Sequence, residues 1–444
     1  MNDKNNKHFL RIVFLTVFID MVGFSIIFPL YPEMLQYYLG LEGPDGLIGR
    51  LMAVLGTVSG EAHSLAVVTL FGGVLGSIYS FLQFLFAPIW GNLSDRIGRR
   101  PTLLLTLLGT AASYVLWFFS GSFLLLVGAR LLGGIMAGNV ATASAVVADT
   151  CEGPDRARGM GVLGAGIGLG FVLGPAVGGI GASWNLLDSF PALADYGVNP
   201  FSMCALAAFV LASFNLISVY RRLPETFPQD RPAKPDSSEP ARTRHPFRIL
   251  RRLKFPGVRR VNLANFVYLV AFSAMEFTLT FLAAERLGYR ARENMWMFVF
   301  VGITIAMVQG GLVRRVVPRA GEKRVAVFGI AVSIPGFVLV GMMESSLVLY
   351  AGLGLLAVGS GLVMPTLGAL VSRYTPDDRQ GLALGVFRSL ASLARAIGPI
   401  LGGCLYWGLS SWAPYALGAL LVVIALAQAS SLPPVGTGAA RAGD

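Results

Sequence analysis

The sequence predicts an all-α membrane protein of twelve transmembrane helices, arranged as two pseudo-symmetric six-helix bundles. Three observations predict it. Apolar runs of about 20 residues recur along the whole chain, each long enough to cross a ~30 Å hydrocarbon core at ~1.5 Å per residue. Lysine and arginine gather on alternate connecting segments. A motif in the first half returns in the second half at a fixed distance.

Composition agrees. Of 444 residues, 55% are hydrophobic and only 13% charged, where a soluble domain carries about 25% charged residues. Mean hydropathy is +0.66. The 54 glycines are many for soluble helices, but they suit membrane helices that pack backbone to backbone.

In chain order the spans are 9–32, 66–88, 102–120, 122–147, 159–182, 201–220, 261–283, 295–313, 324–343, 347–371, 381–404 and 410–430, numbered 1 to 12. With the N-terminus inside, the expected outside loops hold four of the 35 Lys and Arg: Arg50, Arg286, Arg290 and Arg292. Arg130, Arg388 and Arg395 fall within spans, and the other 28 lie inside or at inner helix ends. This asymmetry places both termini in the cytoplasm, and a plasma (inner) membrane is the expected location. The net charge of +11 is then a topology signal rather than a nucleic-acid footprint.

Span 1 contains Asp20 and ends at Pro29 and Pro32 with no small-residue cleavage pattern, so it reads as a retained helix. Glu33–Leu65 is expected to be a long outside loop. Arg221–Arg260 is rich in proline and charge and reads as a cytoplasmic linker, whose basic run Arg248–Arg260 suits a surface helix. The domains are therefore 1–220, a six-helix bundle; 221–260, the linker; and 261–444, the second bundle. Cys151, Cys204 and Cys404 form neither a disulfide framework nor a metal site, and no cofactor or metal is expected. No P-loop, HExxH or partnered GxSxG is present, which argues against an enzyme and against ATP-driven work within this chain.

The internal repeat is specific. Gly174-Pro175-Ala176-Val177-Gly178-Gly179 recurs 224 residues later as Gly398-Pro399-Ile400-Leu401-Gly402-Gly403, and Gly161-Val162 meets Gly385-Val386 at the same offset. Pro154-Asp155-Arg156 resembles Pro376-Asp377-Asp378-Arg379, displaced by two residues. Parallel six-helix repeats with a substrate site between them near the midplane are an arrangement of secondary transporters.

After span 2 comes Gly91-Asn92-Leu93-Ser94-Asp95-Arg96-Ile97-Gly98-Arg99-Arg100-Pro101. Two turns, at Gly91 and Gly98, are expected to bracket an acid and three arginines. Asp95 is suited to the N-terminal end of a neighbouring helix. This stretch resembles the signature loop of the major facilitator superfamily, which in that family latches the two halves in the outward-facing state. A degenerate copy follows span 8 at Gly311-Leu312-Val313-Arg314-Arg315; it lacks the aspartate, which implies a weaker second latch.

Asp20-Met21-Val22-Gly23 with Phe28-Pro29-Leu30-Tyr31-Pro32, Gln83-Phe84-Leu85-Phe86-Ala87-Pro88, and Arg130, Gly133, Gly134, Gly138, Asp149 and Arg156-Ala157-Arg158 resemble the twelve-span drug:proton antiporter branch, tetracycline-efflux transporters in particular. Gly174-Pro175 is similar to that branch's antiporter motif. Glu276-Phe277-Thr278-Leu279-Thr280-Phe281 and Arg388-Ser389-Leu390 through Arg395-Ala396-Ile397-Gly398-Pro399 resemble the animal tetracycline-transporter-like proteins, proposed to export organic anions.

Ionisable groups within spans cost roughly 2.5–3.5 kcal/mol each at the midplane on insertion scales, so they face a cavity or a partner. Asp20 lies nine residues beyond Arg11, roughly 13 Å into the membrane. Desolvation favours its neutral form and suits it to load and release a proton. Arg130 in span 4 is the candidate opposing charge; the plain alternative is a static Asp20–Arg130 pair. Glu276, roughly 24 Å beyond Arg260, is a second candidate proton carrier or the partner of a span 11 arginine. Arg388 and Arg395, seven residues apart, share one helix face. Guanidinium forks there suit a carboxylate, sulfonate or phosphate; alternatively Arg388 snorkels and Arg395 pairs with Glu276. Gln83 is a neutral substrate contact or a helix–helix hydrogen bond. Asp95, Arg96, Arg99, Arg100 and Asp149, with Gly91, Gly98, Gly174 and Pro175, are the expected gating residues.

The resulting expectation is a monomeric secondary transporter whose partners are protons, membrane lipids and an amphipathic small molecule, anionic or zwitterionic, exported by proton antiport and alternating access. Nucleic acid is not among the expected partners. Rival readings are an uncoupled or uptake transporter of lysolipids or organic anions, and a non-transporting membrane receptor.

Overall fold

Hydropathy and helix-end chemistry account for the elements. The computed structural model describes residues 3–43, 46, 75, 77–151, 153–226, 257–376 and 380–433. Most of the expected outside loop, the linker from 227 to 256 with most of its basic run, and the repeat positions Asp377–Arg379 lie outside the described residues. Among the described residues there is no strand. Eleven helices among the described residues are long and apolar enough to cross a membrane, and the helix Ile78–Ile97 supplies the described part of span 2, the remaining one of the twelve expected.

Three boundaries differ from expectation. Span 1 does not stop at its prolines: a 3-10 turn over Phe28–Leu30 leads into the helix Tyr31–Glu42, so Glu33 is helical rather than in a loop. Pro29 and Pro32 sit in the first turns of these elements, where a missing N–H costs nothing. Gly91 makes no turn, because Ile78–Ile97 runs through it; of these two glycines Gly98 alone has positive φ, +103°. Span 8 continues past its expected end through a π turn, Val308–Val313, and the helix Arg314–Ala320, turning at Gly321 with φ +80°. The expected second latch, Gly311–Arg315, is therefore helical.

Span 4 is broken between the helices Phe123–Met136 and Asn139–Thr150. Ser122 caps its start by accepting from Leu125 N (3.3 Å). At the break the Trp90 indole donates to Ile135 O (2.5 Å), and a Cβ on Gly138 would overlap the Trp90 ring. The break sets the direction of Asn139.

The chain divides into two compact units, Met1–Gln229 with Leu279–Gly302, and Asp230–Thr278 with Ile303–Asp444. In the first, span 1 packs most extensively on the helix Gly153–Ala182 of span 5. Gly166, Gly170, Gly174 and Gly178 of that helix meet the backbone of span 1 at Phe14, Phe18, Val22 and Ile26, and a Cβ on Gly174 would also overlap Ser25 Oγ. Ser25 donates to Met21 O (2.8 Å). Val13, Val17, Leu103, Leu107, Val146, Val147, Leu163 and Val219 form an apolar core beside this seam.

In the second unit the helices Glu322–Gly341 and Ser346–Arg373 of spans 9 and 10 are the most extensively packed pair. Gly329 and Gly336 lie against the carbonyls of Gly359 and Gly352. Gly398 and Gly402 of the helix Gln380–Gly408 meet Ser273 and Ala274 of Val258–Leu287. The Gly174/Gly178 seam on span 1 thus has a counterpart on span 7 at the repeat offset. Small residues permit such close approach, and van der Waals packing, rather than hydrophobicity, holds helices together within lipid.

Candidate functional site

Asp20 is 3% exposed. Its Oδ1 accepts from Asn139 Nδ2 at 2.8 Å. Asn139 is held in turn, because Thr106 Oγ1 donates to its Oδ1 at 2.6 Å. Asp20 Oδ2 is buried and has no hydrogen-bond partner among the described residues. One oxygen is therefore fixed by an oriented amide and the other is available for a proton.

The plain alternative, a static pair of Asp20 with Arg130, is not what the geometry gives. Among the described residues no ion pair joins Asp20 and Arg130. Arg130 is 5% exposed, and its guanidinium lies 4.7 Å above the Trp117 ring centroid. The hydroxyls of Tyr79 and Tyr114 stand within electrostatic range of both Asp20 and Arg130. Gln83 is buried on the helix Ile78–Ile97 and makes no hydrogen bond among the described residues.

In the second unit Glu276, Arg388 and Arg395 are all half-buried. Glu276 and Arg395 lie within electrostatic range of each other, while Arg395 Nη2 donates to Ser392 Oγ at 3.2 Å. Arg388 sits two turns before Arg395 on the same helix, Gln380–Gly408. A carboxylate and an arginine fork thus share one neighbourhood, without a close ion pair between Glu276 and Arg395 among the described residues.

The signature stretch is a knot of charge around Arg99. Its Nη1 donates to Asp95 Oδ1 (2.6 Å) and Ser94 Oγ (2.7 Å), and its Nε to Asp149 Oδ2 (2.7 Å). Asp149 and Arg99 are buried, whereas the Asp95 side chain is 60% exposed. Arg96 is exposed. Arg100 donates to Tyr220 O (2.7 Å) and lies over its ring. The acid at a helix N-terminus is Glu225, not the expected Asp95. Glu225 accepts from Arg99 N (2.8 Å) and Arg100 N (3.2 Å) at the start of the helix Arg99–Phe118. Gly98 is required twice, for its φ of +103° and because a Cβ there would overlap the Glu225 carboxylate. In the second unit Glu322 and Arg373 pair at 2.8 Å. Arg373 is the repeat position of Asp149, 224 residues on, whereas Glu322 stands one residue before Lys323, the repeat position of Arg99.

The sequence profile of the Major Facilitator Superfamily matches residues 13–320 and 315–440. The chain belongs to this superfamily. It is an integral, multi-pass membrane transporter and not an enzyme. The Major facilitator superfamily domain-containing protein 10 of Homo sapiens is 33% identical over 421 residues, covering 90% of this chain and 88% of that protein. The class C tetracycline resistance protein of Escherichia coli is 30% identical over 387 residues, covering 85% and 91%. The crystal structure of the human organic anion transporter MFSD10 (TETRAN) has 32% sequence identity and a TM-score of 0.76, covering 97% of this chain and all of that one.

The sequence singles out Asp20, Arg130, Glu276 and the Arg99 stretch, but not Asn139 and Glu225, which the structure places beside Asp20 and Arg99. Asn139 carried one signal, an amide side chain within an apolar span. Glu225 stands just beyond span 6, where nothing in the local sequence distinguishes it from other linker acids.

Proposed function

We propose that the protein is a proton-coupled antiporter that exports amphipathic small molecules bearing an anionic or zwitterionic group. Asp20 is the first proton carrier and Glu276 the second. Arg388 and Arg395 hold the anionic group, and Gln83 is a neutral polar contact. Arg130 sets the field at the tyrosines beside Asp20. The bundles 1–220 and 261–444, joined by 221–260, rock in alternating access, with Gly174-Pro175 as the sliding seam and the Arg99 knot as a latch. The protein acts as a monomer in the plasma membrane with both termini in the cytoplasm.

The observation that carries this reading is the state of Asp20: a carboxyl within an apolar bundle, held on one oxygen by Asn139 and unpartnered on the other. Such a group is costly when charged and without a cationic partner, so taking up a proton changes the energy of its surroundings. Protonation drives transport only if it favours one bundle arrangement over the other. A group buried between spans 1 and 4, held across them by Asn139, is well placed to do so. The likeness to the human organic anion transporter and to tetracycline resistance proteins supports both the anionic substrate and the export direction.

The test is proton movement on substrate addition, followed with a pH-sensitive dye in proteoliposomes. Substrate-dependent proton flux in the wild type, lost in Asp20→Asn, is expected. Substrate movement without proton flux, unchanged in Asp20→Asn, would leave an uncoupled facilitator and demote Asp20 to helix packing.

A further inference from the structure

The arginine that fails to pair with Asp20 has another use. Arg130, Tyr79, Ser113, Tyr114, Trp117 and Gly133 line a small cavity among spans 2, 3 and 4, with room for roughly one water-sized body. Arg130, Tyr79, Trp117 and Tyr114 are all more than nine-tenths buried. On these lining residues four donor atoms have no hydrogen-bond partner among the described residues: Arg130 Nε and Nη2, Tyr79 Oη and Trp117 Nε1. Among the described residues no carboxylate forms an ion pair with Arg130.

Buried guanidinium groups are otherwise paired with an acceptor, since an unpaired buried charge is strongly unfavourable. Here every unpartnered lining atom is a donor or can act as one, and the fixed charge on the cavity wall is positive. Such a wall suits an anion, which takes charge-assisted hydrogen bonds from each group. The size of the space selects a monatomic anion over the carboxylate of an amphipathic molecule.

We propose that this cavity binds a single halide ion, chloride under physiological conditions, with Arg130 as its counter-charge and Tyr79 and Trp117 as neutral donors. The site is separate from the Arg388–Arg395 face assigned to the transported anion, and it does not depend on the proton-coupling proposal. Arg130 then has a structural counter-ion that exchanges with solution, and the stability of the first unit tracks halide concentration.

The test uses the purified full-length protein in detergent. Thermal melting is followed while sodium chloride replaces sodium gluconate at constant ionic strength, in the wild type, Arg130→Gln and Tyr79→Phe. Crystals grown in bromide are measured at the bromine absorption edge. The expected result is a saturable, halide-specific rise in melting temperature, abolished in Arg130→Gln. In Tyr79→Phe the halide concentration at half-effect should rise about tenfold, as for loss of one hydrogen bond to a charged group. An anomalous peak beside the Arg130 guanidinium is also expected. If Arg130→Gln does not fold, Tyr79→Phe and the bromide peak decide the matter. An equal response to chloride and gluconate, an unchanged half-effect in Tyr79→Phe, or the absence of a peak at Arg130 overturns the proposal and leaves the donors to bound water or to the transported anion.

Discussion

Gly98→Ala tests the latch quantitatively. Gly98 has φ +103° and ψ 163°, a region that side-chain-bearing residues almost never adopt, and forcing alanine into it costs of order 1–3 kcal/mol. The new Cβ also overlaps the Glu225 carboxylate. Glu225 must then leave Arg99 N and Arg100 N, which it holds at 2.8 and 3.2 Å. Losing an N-terminal cap costs about 0.5–2 kcal/mol. The two terms together predict a loss of about 1.5–5 kcal/mol. They can be separated, because only the second depends on Glu225. In a Glu225→Ala background, Gly98→Ala should cost only the backbone term, so the double-mutant cycle should show a coupling of about 0.5–2 kcal/mol. The assay is denaturant unfolding in mixed micelles, following loss of helical circular dichroism. Strict additivity of the two substitutions would refute the claim that Gly98 serves the Glu225 cap.

Other predictions follow from the same geometry. Asp149→Asn removes a carboxylate from buried Arg99 and should destabilise the fold by about 3–5 kcal/mol, while Asp95→Asn, on an exposed acid, should cost no more than about 1 kcal/mol; unfolding measurements on both check the ranking. Gly174→Val places side-chain carbons where Ser25 Oγ and the Val22 carbonyl lie, and should abolish transport while surface expression persists; near-normal flux would show that the seam does not need close approach. Arg395→Ala should raise KM for an anionic substrate about tenfold or more, by loss of a hydrogen bond to a charged group, and leave an uncharged analogue unaffected; equal effects on both would remove Arg395 from anion recognition. Glu322→Arg combined with Arg373→Glu should recover stability lost by either single change, because the observed 2.8 Å pair needs opposite signs and not a fixed order; lack of recovery in unfolding assays counts against a stabilising role for the pair.

Much of the fold is legible in the sequence because its determinants are local. Length and apolarity mark the spans, and the Gly174–Pro175 repeat marks equivalent seams that do lie against spans 1 and 7. Asp20 stands out because a lone acid in an apolar run is costly. What was not legible is set by tertiary neighbours or by helix-end detail. Asn139 reaches Asp20 across 119 residues, and only the break at Gly138, enforced by Trp90, aims it there. Glu225 reaches Arg99 across 126 residues. Pro29 and Pro32 looked like terminators, yet a proline in a first turn begins a helix as readily as it ends one. Gly91 looked like a turn, but its position has free space around it and continues the helix.

The central claim is that an imposed proton gradient drives substrate uphill through Asp20. The most direct measurement is accumulation of a labelled organic anion in proteoliposomes under a pH gradient of defined direction, with and without a proton ionophore. The account predicts accumulation above the equilibrium level against the proton flow, collapsed by the ionophore and absent in Asp20→Asn. Equilibration to the same level with or without the gradient, in both wild type and Asp20→Asn, would contradict it.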